Sequence, residues 1–210
     1  MDMWVNWALL AGIFGMALIA PGPDLVMAVR NSIIHSRQAG IFTAFGFALG
    51  VGVHVTYTLT GIAVLISKSV LLFNIIKFAG AAYLFYMGYK ALRSKGFEDH
   101  GEFNRPAQRP MSNIRAIRSG FLTNLLNPKA TLFFVAIFSQ FVGPDTSTGF
   151  QILYGLTCVV MCAVWFSLVA LLLTGARVKS IFLRTSRWID RVCGVLFIGL
   201  GVRLALSVNR

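Results

Sequence analysis

The feature that most restricts the fold of this chain is a set of long apolar segments without charge. Residues 39–67 and 146–176 contain no Lys, Arg, Asp or Glu, and residues 4–20 contain none either. A helix needs roughly 20 residues to cross the hydrocarbon core of a bilayer, so the two longer segments can span it with a tilt. With 57% hydrophobic and 12% charged residues, the chain also has too little polar surface for a soluble domain. We therefore predict an integral membrane protein.

Six apolar segments predict an all-α membrane protein with six transmembrane helices. The first has no positive charge before it, unlike a signal peptide, so we expect it to remain in the mature protein. It continues past a Pro-Gly-Pro-Asp break to about Val29. The six segments are residues 4–29, 39–67, 69–89, 119–142, 146–176 and 189–208.

The basic residues predict the orientation in the membrane. Fourteen of the 19 Lys and Arg residues follow the first, third and fifth segments. Loops rich in Lys and Arg stay in the cytoplasm, which places both termini outside. The net charge of +12 is therefore attributed to membrane orientation, and we expect no nucleic-acid partner.

A hydrophilic stretch divides the chain into two halves that resemble each other. We interpret residues 94–113 as a cytoplasmic linker between a first repeat, residues 1–93, and a second repeat, residues 114–210. The first helix of each half is broken by proline, at Pro21-Gly22-Pro23 and at Pro128. Three spans per repeat force the second copy to enter the bilayer from the opposite side. The pattern thus predicts two inverted three-helix repeats with proline-broken first helices, an arrangement that marks the binding site in many transporters.

An ionisable residue follows each break directly. Asp24 and Lys129 have opposite signs, and a lone charge in hydrocarbon is costly. Each therefore requires the other, a polar cavity or a change of protonation state. A zwitterionic amino acid would suit the pair, with its carboxylate at Lys129 and its ammonium at Asp24, and protonation of Asp24 would couple transport to protons. The competing interpretation of Asp24 is a helix cap at the membrane interface.

Four other polar residues belong to the candidate site. Asn124 and Asn127 lie near the second break, where they either line the same cavity or satisfy its backbone. His54 lies within an uncharged segment, three residues before Tyr57, and either relays protons or is hydrogen-bonded between helices. Asp190 has arginines as sequence neighbours, and a local ion pair is the preferred interpretation.

The remaining signals indicate no cofactor. Cys158, Cys162 and Cys193 form no CxxC and are interpreted as small apolar residues, and we expect no metal site. There is no nucleotide-binding Walker motif. Gly46 and Gly50 form a GxxxG, which is typical of close helix contacts and allows a homodimer as one arrangement.

Several motifs together resemble the LysE/RhtB family of lysine exporters and homoserine-threonine resistance proteins. The match covers nearly the whole chain, and a departure at His35-Ser36 concerns only the first cytoplasmic loop. The resemblance implies an exporter of amino acids in the bacterial inner membrane, driven by the proton-motive force without an ATPase subunit. The residues that match the family's motif positions are Pro21, Gly22, Pro23, Asp24, Asn127, Pro128 and Lys129. The motifs are Pro21 to Asp24, Ala39-Gly40, Gly46 to Gly50, Tyr83 to Arg93 and Leu126 to Ala130.

The predicted function is therefore secondary export of an amino acid or derivative, without enzymatic activity. A neutral, threonine-like or homoserine-like substrate is preferred, because no second intramembrane carboxylate is available for a cationic side chain. The partners implied are this substrate, protons and membrane lipid. The alternatives are an intramembrane enzyme that uses His54 and Asp24 as acid and base, and a membrane scaffold without transport activity.

Overall fold

The computed structural model describes residues 3–20, 22–68, 70–96, 111–143, 145–172 and 176–206. Pro21 and most of the predicted linker lie outside the described residues. Those described form eight helices, and the prediction of an all-helical chain is confirmed for them. The helices are α1 (Met3–Ile19), α2 (Pro23–Ile34), α3 (Arg37–Lys68), α4 (Val70–Leu92), α5 (Asn113–Leu125), α6 (Pro128–Phe141), α7 (Thr148–Leu172) and α8 (Ala176–Leu206).

Two of these helices are long and apolar enough to cross a membrane, within the part of the chain that the structure describes. They are α7 and the Arg37–Gly61 part of α3. The number rises to four if each bent helix pair counts as one span: α1 with α2, bent by 57°, and α5 with α6, bent by 59°. Both predicted breaks therefore separate two helices.

The start of α8 differs from the predicted sixth segment. The helix begins at Ala176, whereas the apolar segment begins near Ile189. The intervening residues 176–188 include three Arg, one Lys and two Ser. Because Arg and Lys are good helix formers, the helix continues through a stretch that is too polar to lie in hydrocarbon.

Helix α3 lies at the centre of the fold and packs against α5 and α7, while α4 packs against α8. Glycines allow the close approach of α3 to α5. A Cβ added to Gly46 would lie 2.2 Å from the Ile117 carbonyl oxygen, and one added to Gly50 would lie 2.5 Å from Asn124 Oδ1. The GxxxG is thus occupied within the chain, so a homodimer would need a different face.

Aromatic side chains from several helices fill the core beside the breaks. Phe14 of α1 contacts Phe133 and Phe134 of α6, with ring centres 6.1 and 5.5 Å apart. Phe166 of α7 is also buried. This packing fixes α1 against α6 and so brings the broken ends of the two halves together.

Candidate substrate site at the paired helix breaks

Each break ends one helix and begins another at a proline. Pro23 and Pro128 are the first residues of α2 and α6, where a proline costs no hydrogen bond because its position has no intrahelical acceptor. Asp24 and Lys129 are consequently the second residues of α2 and α6. The two charged residues therefore occupy equivalent positions in the two halves.

Asp24 is held by side chains of the other half. Its carboxylate accepts hydrogen bonds from Asn124 Nδ2 at 2.7 Å and from Asn127 Nδ2 at 3.2 Å. The first donor lies in the last turn of α5, and the second precedes α6. No side chain caps α2, which begins after Gly22, so Asp24 is not the helix cap of the competing interpretation. Both asparagines instead turn their amides towards the carboxylate.

Lys129 reaches in the opposite direction, from the second half to the first. Its Nζ donates to the Ala20 carbonyl oxygen at 3.3 Å, at the C-terminal end of α1. It also interacts electrostatically with Asp24. An ammonium at a helix N-terminus is opposed by the helix dipole, whereas a carbonyl at the end of another helix and a carboxylate compensate for it. The first break is thus stabilised by Lys129.

His54 and Tyr57 lie behind the site. His54 is 1% exposed, and its Nε2 donates to the Asn124 carbonyl oxygen at 3.0 Å. Because a carbonyl only accepts, His54 Nδ1 is the acceptor of the Tyr57 hydroxyl at 2.8 Å. The imidazole also stacks on Phe134, with ring centres 5.7 Å apart. His54 therefore joins α3 to α5 and positions Asn124, in line with the interpretation of a histidine hydrogen-bonded between helices.

A cavity of about 50 Å³ lies where the breaks meet, and we call it the inner cavity. Asp24, Asn124, Asn127 and Lys129 line it together, whereas His54 and Tyr57 are not among its lining residues. This volume holds a few water molecules. Its other walls are largely apolar, and they include the Phe14, Phe133, Phe134 and Phe166 side chains.

A much larger cavity of about 870 Å³ adjoins the inner cavity, and we call it the vestibule. Four residues line both: Ala20, Gly22, Asn127 and Lys129. Most of the other lining residues belong to α4, to the residues directly after it, or to α8, and they include Tyr83, Tyr86, Lys90, Arg93 and Asp190. Pro23 and Pro128 complete the lining. Lys129 and the Ala20 carbonyl therefore lie where the two cavities meet.

Two parts of this arrangement were not predicted from the sequence. Asp190 lines the vestibule and accepts a hydrogen bond from Ser94 Oγ at 2.5 Å, while the neighbouring Arg191 lies over the Trp188 ring at 5.1 Å. The close approach of Gly50 to Asn124 was missed as well. The sequence features that could have indicated them were Gly50 within α3 and the acidic Asp190 at the start of the sixth apolar segment. In the described ranges, no group of three His, Cys, Asp or Glu side chains is arranged to hold a metal ion.

Comparison with known proteins gives a consistent group of relatives. The family model described as LysE type translocator matches residues 15–208. The threonine efflux protein of Escherichia coli (strain K12) is 32% identical over 192 residues, which cover 91% of this chain and 93% of the relative. The threonine efflux protein of Salmonella typhimurium is 32% identical over 194 residues, with 91% and 93% covered. The uncharacterized membrane protein YrhP of Bacillus subtilis is 28% identical over 201 residues, with 93% and 96% covered. No solved structure matches the chain.

Proposed function

Since this chain belongs to the LysE type translocator family, we propose that it exports threonine or a similar small neutral amino acid. The resemblance inferred from the proline motifs is confirmed by the family match. The observation that carries the proposal is the reciprocal contact of the two breaks. Asp24 of the first half is held by asparagines of the second, and Lys129 of the second half holds the Ala20 carbonyl of the first.

The chemistry of the inner cavity suits a zwitterion. Lys129 supplies a cation for the substrate carboxylate, assisted by the amide groups at the starts of α2 and α6. Asp24 supplies an anion for the substrate ammonium. The remaining walls are aromatic and apolar, which favours a small uncharged side chain over a charged one. Because the inner cavity holds only a few waters, binding requires the breaks to move apart.

The inverted-repeat architecture is part of this proposal. The bent pairs α1–α2 and α5–α6 each form the first span of a half, and α3 and α7 form the second spans. Helices α4 and α8 supply the third spans: α4 has 23 residues, and the apolar part of α8, residues 189–206, is at the short end of the roughly 17–25 residues that a span uses. Corresponding helices also pair across the molecule, α3 with α7 and α4 with α8. Residues 1–93 and 114–210 are the two repeats, joined by residues 94–113.

Transport is proposed to be secondary, in the bacterial inner membrane, with both termini outside. The positive-inside distribution supports the orientation. Protons are the proposed coupling ion, and Asp24 is the group that exchanges them. With Asp24 protonated, the substrate ammonium loses its counterion and is released. Membrane lipid surrounds the apolar helix faces.

The test is efflux of labelled threonine from preloaded proteoliposomes, with and without a pH gradient. Asp24→Asn removes the carboxylate charge but preserves the shape of the side chain, and we expect efflux to fall about 100-fold, since hydrogen bonds to charged groups contribute up to ~3 kcal/mol. Asp145→Asn, at an exposed position between α6 and α7, is the matched control and should transport normally. Full efflux by Asp24→Asn would refute the role of Asp24. A folded wild-type protein that moves no amino acid would refute the function itself.

A further inference from the structure

The vestibule is large enough to bind a whole amino acid before the inner cavity opens. Its volume of about 870 Å³ lies within the usual range for small-molecule sites, whereas the inner cavity has only about 50 Å³. Lys90 and Arg93, which line it, belong to the loop side that the charge pattern assigns to the cytoplasm. An exported substrate would therefore meet the vestibule first.

A buried carboxylate lines this vestibule. Asp190 is 5% exposed, and its hydrogen bond from Ser94 Oγ joins α8 to the end of α4. Lys129 lines this vestibule together with Asp190 and lines the inner cavity together with Asp24. Each cavity therefore has one carboxylate among its described lining residues, and Lys129 lies at the boundary between them. Asp190 is thus a second buried acidic group beside the substrate path, in addition to Asp24.

We propose that the vestibule contains a first binding site for the exported amino acid, in which Asp190 and Ser94 receive its ammonium and Lys129 its carboxylate. The inference rests on the proposed function and extends it to the path that the substrate takes. The substrate carboxylate competes with the Ala20 carbonyl for Lys129 Nζ. When Lys129 leaves that carbonyl, the contact that separates the two cavities is lost and the substrate passes to Asp24.

A purely structural role for Asp190 makes a different prediction. If Asp190 only joins α8 to α4, an amide would serve nearly as well, because Asn also accepts a hydrogen bond from Ser94. Conversely, Ser94→Ala would then be as harmful as a change at Asp190. If Asp190 binds the substrate ammonium, its charge is essential and Ser94 contributes less.

The first experiment compares threonine transport from each face of the membrane, in inverted and in right-side-out vesicles. For Asp190→Asn we expect the KM at the cytoplasmic face to rise about tenfold, in keeping with the loss of one charged hydrogen bond. The KM at the outer face should stay within twofold, and Ser94→Ala should change the cytoplasmic KM by less than threefold. Asp145→Asn is the control for a neutralised carboxylate. An unchanged KM for Asp190→Asn at both faces, or an equal effect of Ser94→Ala, would overturn the proposal.

A second measurement detects the vestibule site by chemical protection. Tyr86 lines the vestibule and is 56% exposed, so Tyr86→Cys places a thiol there for a maleimide reagent, while the native cysteines among the described residues are buried. In an Asp24→Asn background, which lacks the inner site, threonine should still slow the labelling at position 86. Adding Asp190→Asn should abolish this protection. Protection that disappears with Asp24→Asn alone would show that the inner cavity is the only site.

If wild-type protein transports no amino acid from either face, the proposed function fails and not merely this inference. If wild-type transport is normal and only the predictions for Asp190 fail, the vestibule is a passage without a binding site. The two failures are therefore distinguishable in the same set of vesicles.

Discussion

The two helix breaks look alike in sequence, but different contacts stabilise them. The second break is locally complete: the Asn127 side chain accepts a hydrogen bond from the Lys129 backbone amide at 3.0 Å, and its carbonyl receives those of Ala130 and Thr131. At the first break, Gly22 precedes α2 and has no side chain to cap it. Besides the local backbone hydrogen bond from Val26 to the Gly22 carbonyl, the first break has a long-range contact from Lys129 Nζ to the Ala20 carbonyl.

This difference indicates which break moves. The side-chain cap and the backbone hydrogen bonds that Asn127 makes at the second break involve only neighbours in sequence, so they persist whether or not the halves separate. The side-chain contact at the end of α1 depends instead on Lys129, which lies more than a hundred positions away and for which a substrate carboxylate can compete. We therefore expect α1 and α2 to shift relative to α6, while the turn into α6 stays intact.

The largest effect is expected when the long-range contact is removed. Lys129→Met keeps the length of the side chain but removes its ammonium, and we expect threonine efflux to fall about 100-fold, because a charged hydrogen bond and the substrate counterion are lost together. Efflux from proteoliposomes measures this, and detergent-purified protein should remain monodisperse. Efflux within threefold of wild type would contradict the assignment of Lys129 to the first break.

A smaller effect is expected when Lys129 is displaced without being changed. A Cβ on Gly22 would lie 3.3 Å from Lys129 Nζ, so Gly22→Val presses on the ammonium. The φ of −172° at Gly22 is extended backbone that any residue adopts, and the fold should be unaffected. We expect about a tenfold loss of efflux, equivalent to ~1.4 kcal/mol. The matched control is Gly12→Val, because nothing lies within 4 Å of a Cβ there. Equal effects of the two valines would show that crowding near Lys129 is unimportant.

Substitutions of Asn127, which caps α6, can distinguish an effect on stability from an effect on transport. Asn127→Ala removes both the cap and one donor to Asp24, and should cost about 1 kcal/mol of stability, lowering the Tm by roughly 2–4 °C. Asn127→Ser restores an N-cap but not the amide that contacts Asp24. We expect Asn127→Ser to recover most of the Tm while efflux stays reduced by severalfold. Recovery of both by serine would mean that the amide does not position Asp24.

The smallest effect is expected behind the site. Tyr57→Phe removes the hydroxyl that donates to His54 Nδ1, while the contact of His54 with the Asn124 carbonyl remains. We expect efflux to fall less than threefold, as for the loss of one weak neutral hydrogen bond of about 0.6 kcal/mol. The response of efflux to a pH gradient should be unchanged. Loss of that response would restore His54 and Tyr57 as a proton relay.

Much of this fold can be predicted from the sequence because the bilayer restricts which structures can span it. Long apolar segments without charge predict membrane-spanning helices. Apart from closed barrels, only a helix satisfies all backbone hydrogen bonds within the hydrocarbon core of a bilayer. The prolines then locate the breaks, and the cost of burying lone charges predicts that Asp24 and Lys129 share a polar site. The structure brings both residues, with Asn124 and Asn127, to one cavity.

The parts that could not be predicted depend on packing between distant segments. Asp190 meets Ser94 only because α8 packs along α4, and in sequence its nearest charges are arginines, which suggested a local ion pair. The same limitation applies to Gly46 and Gly50. A GxxxG indicates a close helix contact but does not identify the partner, which proves to be α5 of the same chain. The extension of α8 to Ala176 was missed because hydropathy detects the membrane span and not the helix.

The central claim is that Asp24 and Lys129 bind the two charged ends of one amino acid. The most direct test is calorimetric titration of purified protein with threonine, its methyl ester and its 2-hydroxy analogue. Wild type should bind threonine at least about tenfold more tightly than either analogue, corresponding to one charged contact each. Lys129→Met should bind threonine and the methyl ester with equal affinity. For Asp24→Asn, the difference in affinity between threonine and the 2-hydroxy analogue should be much smaller than for wild type. Both variants binding all three compounds as wild type does would contradict the account.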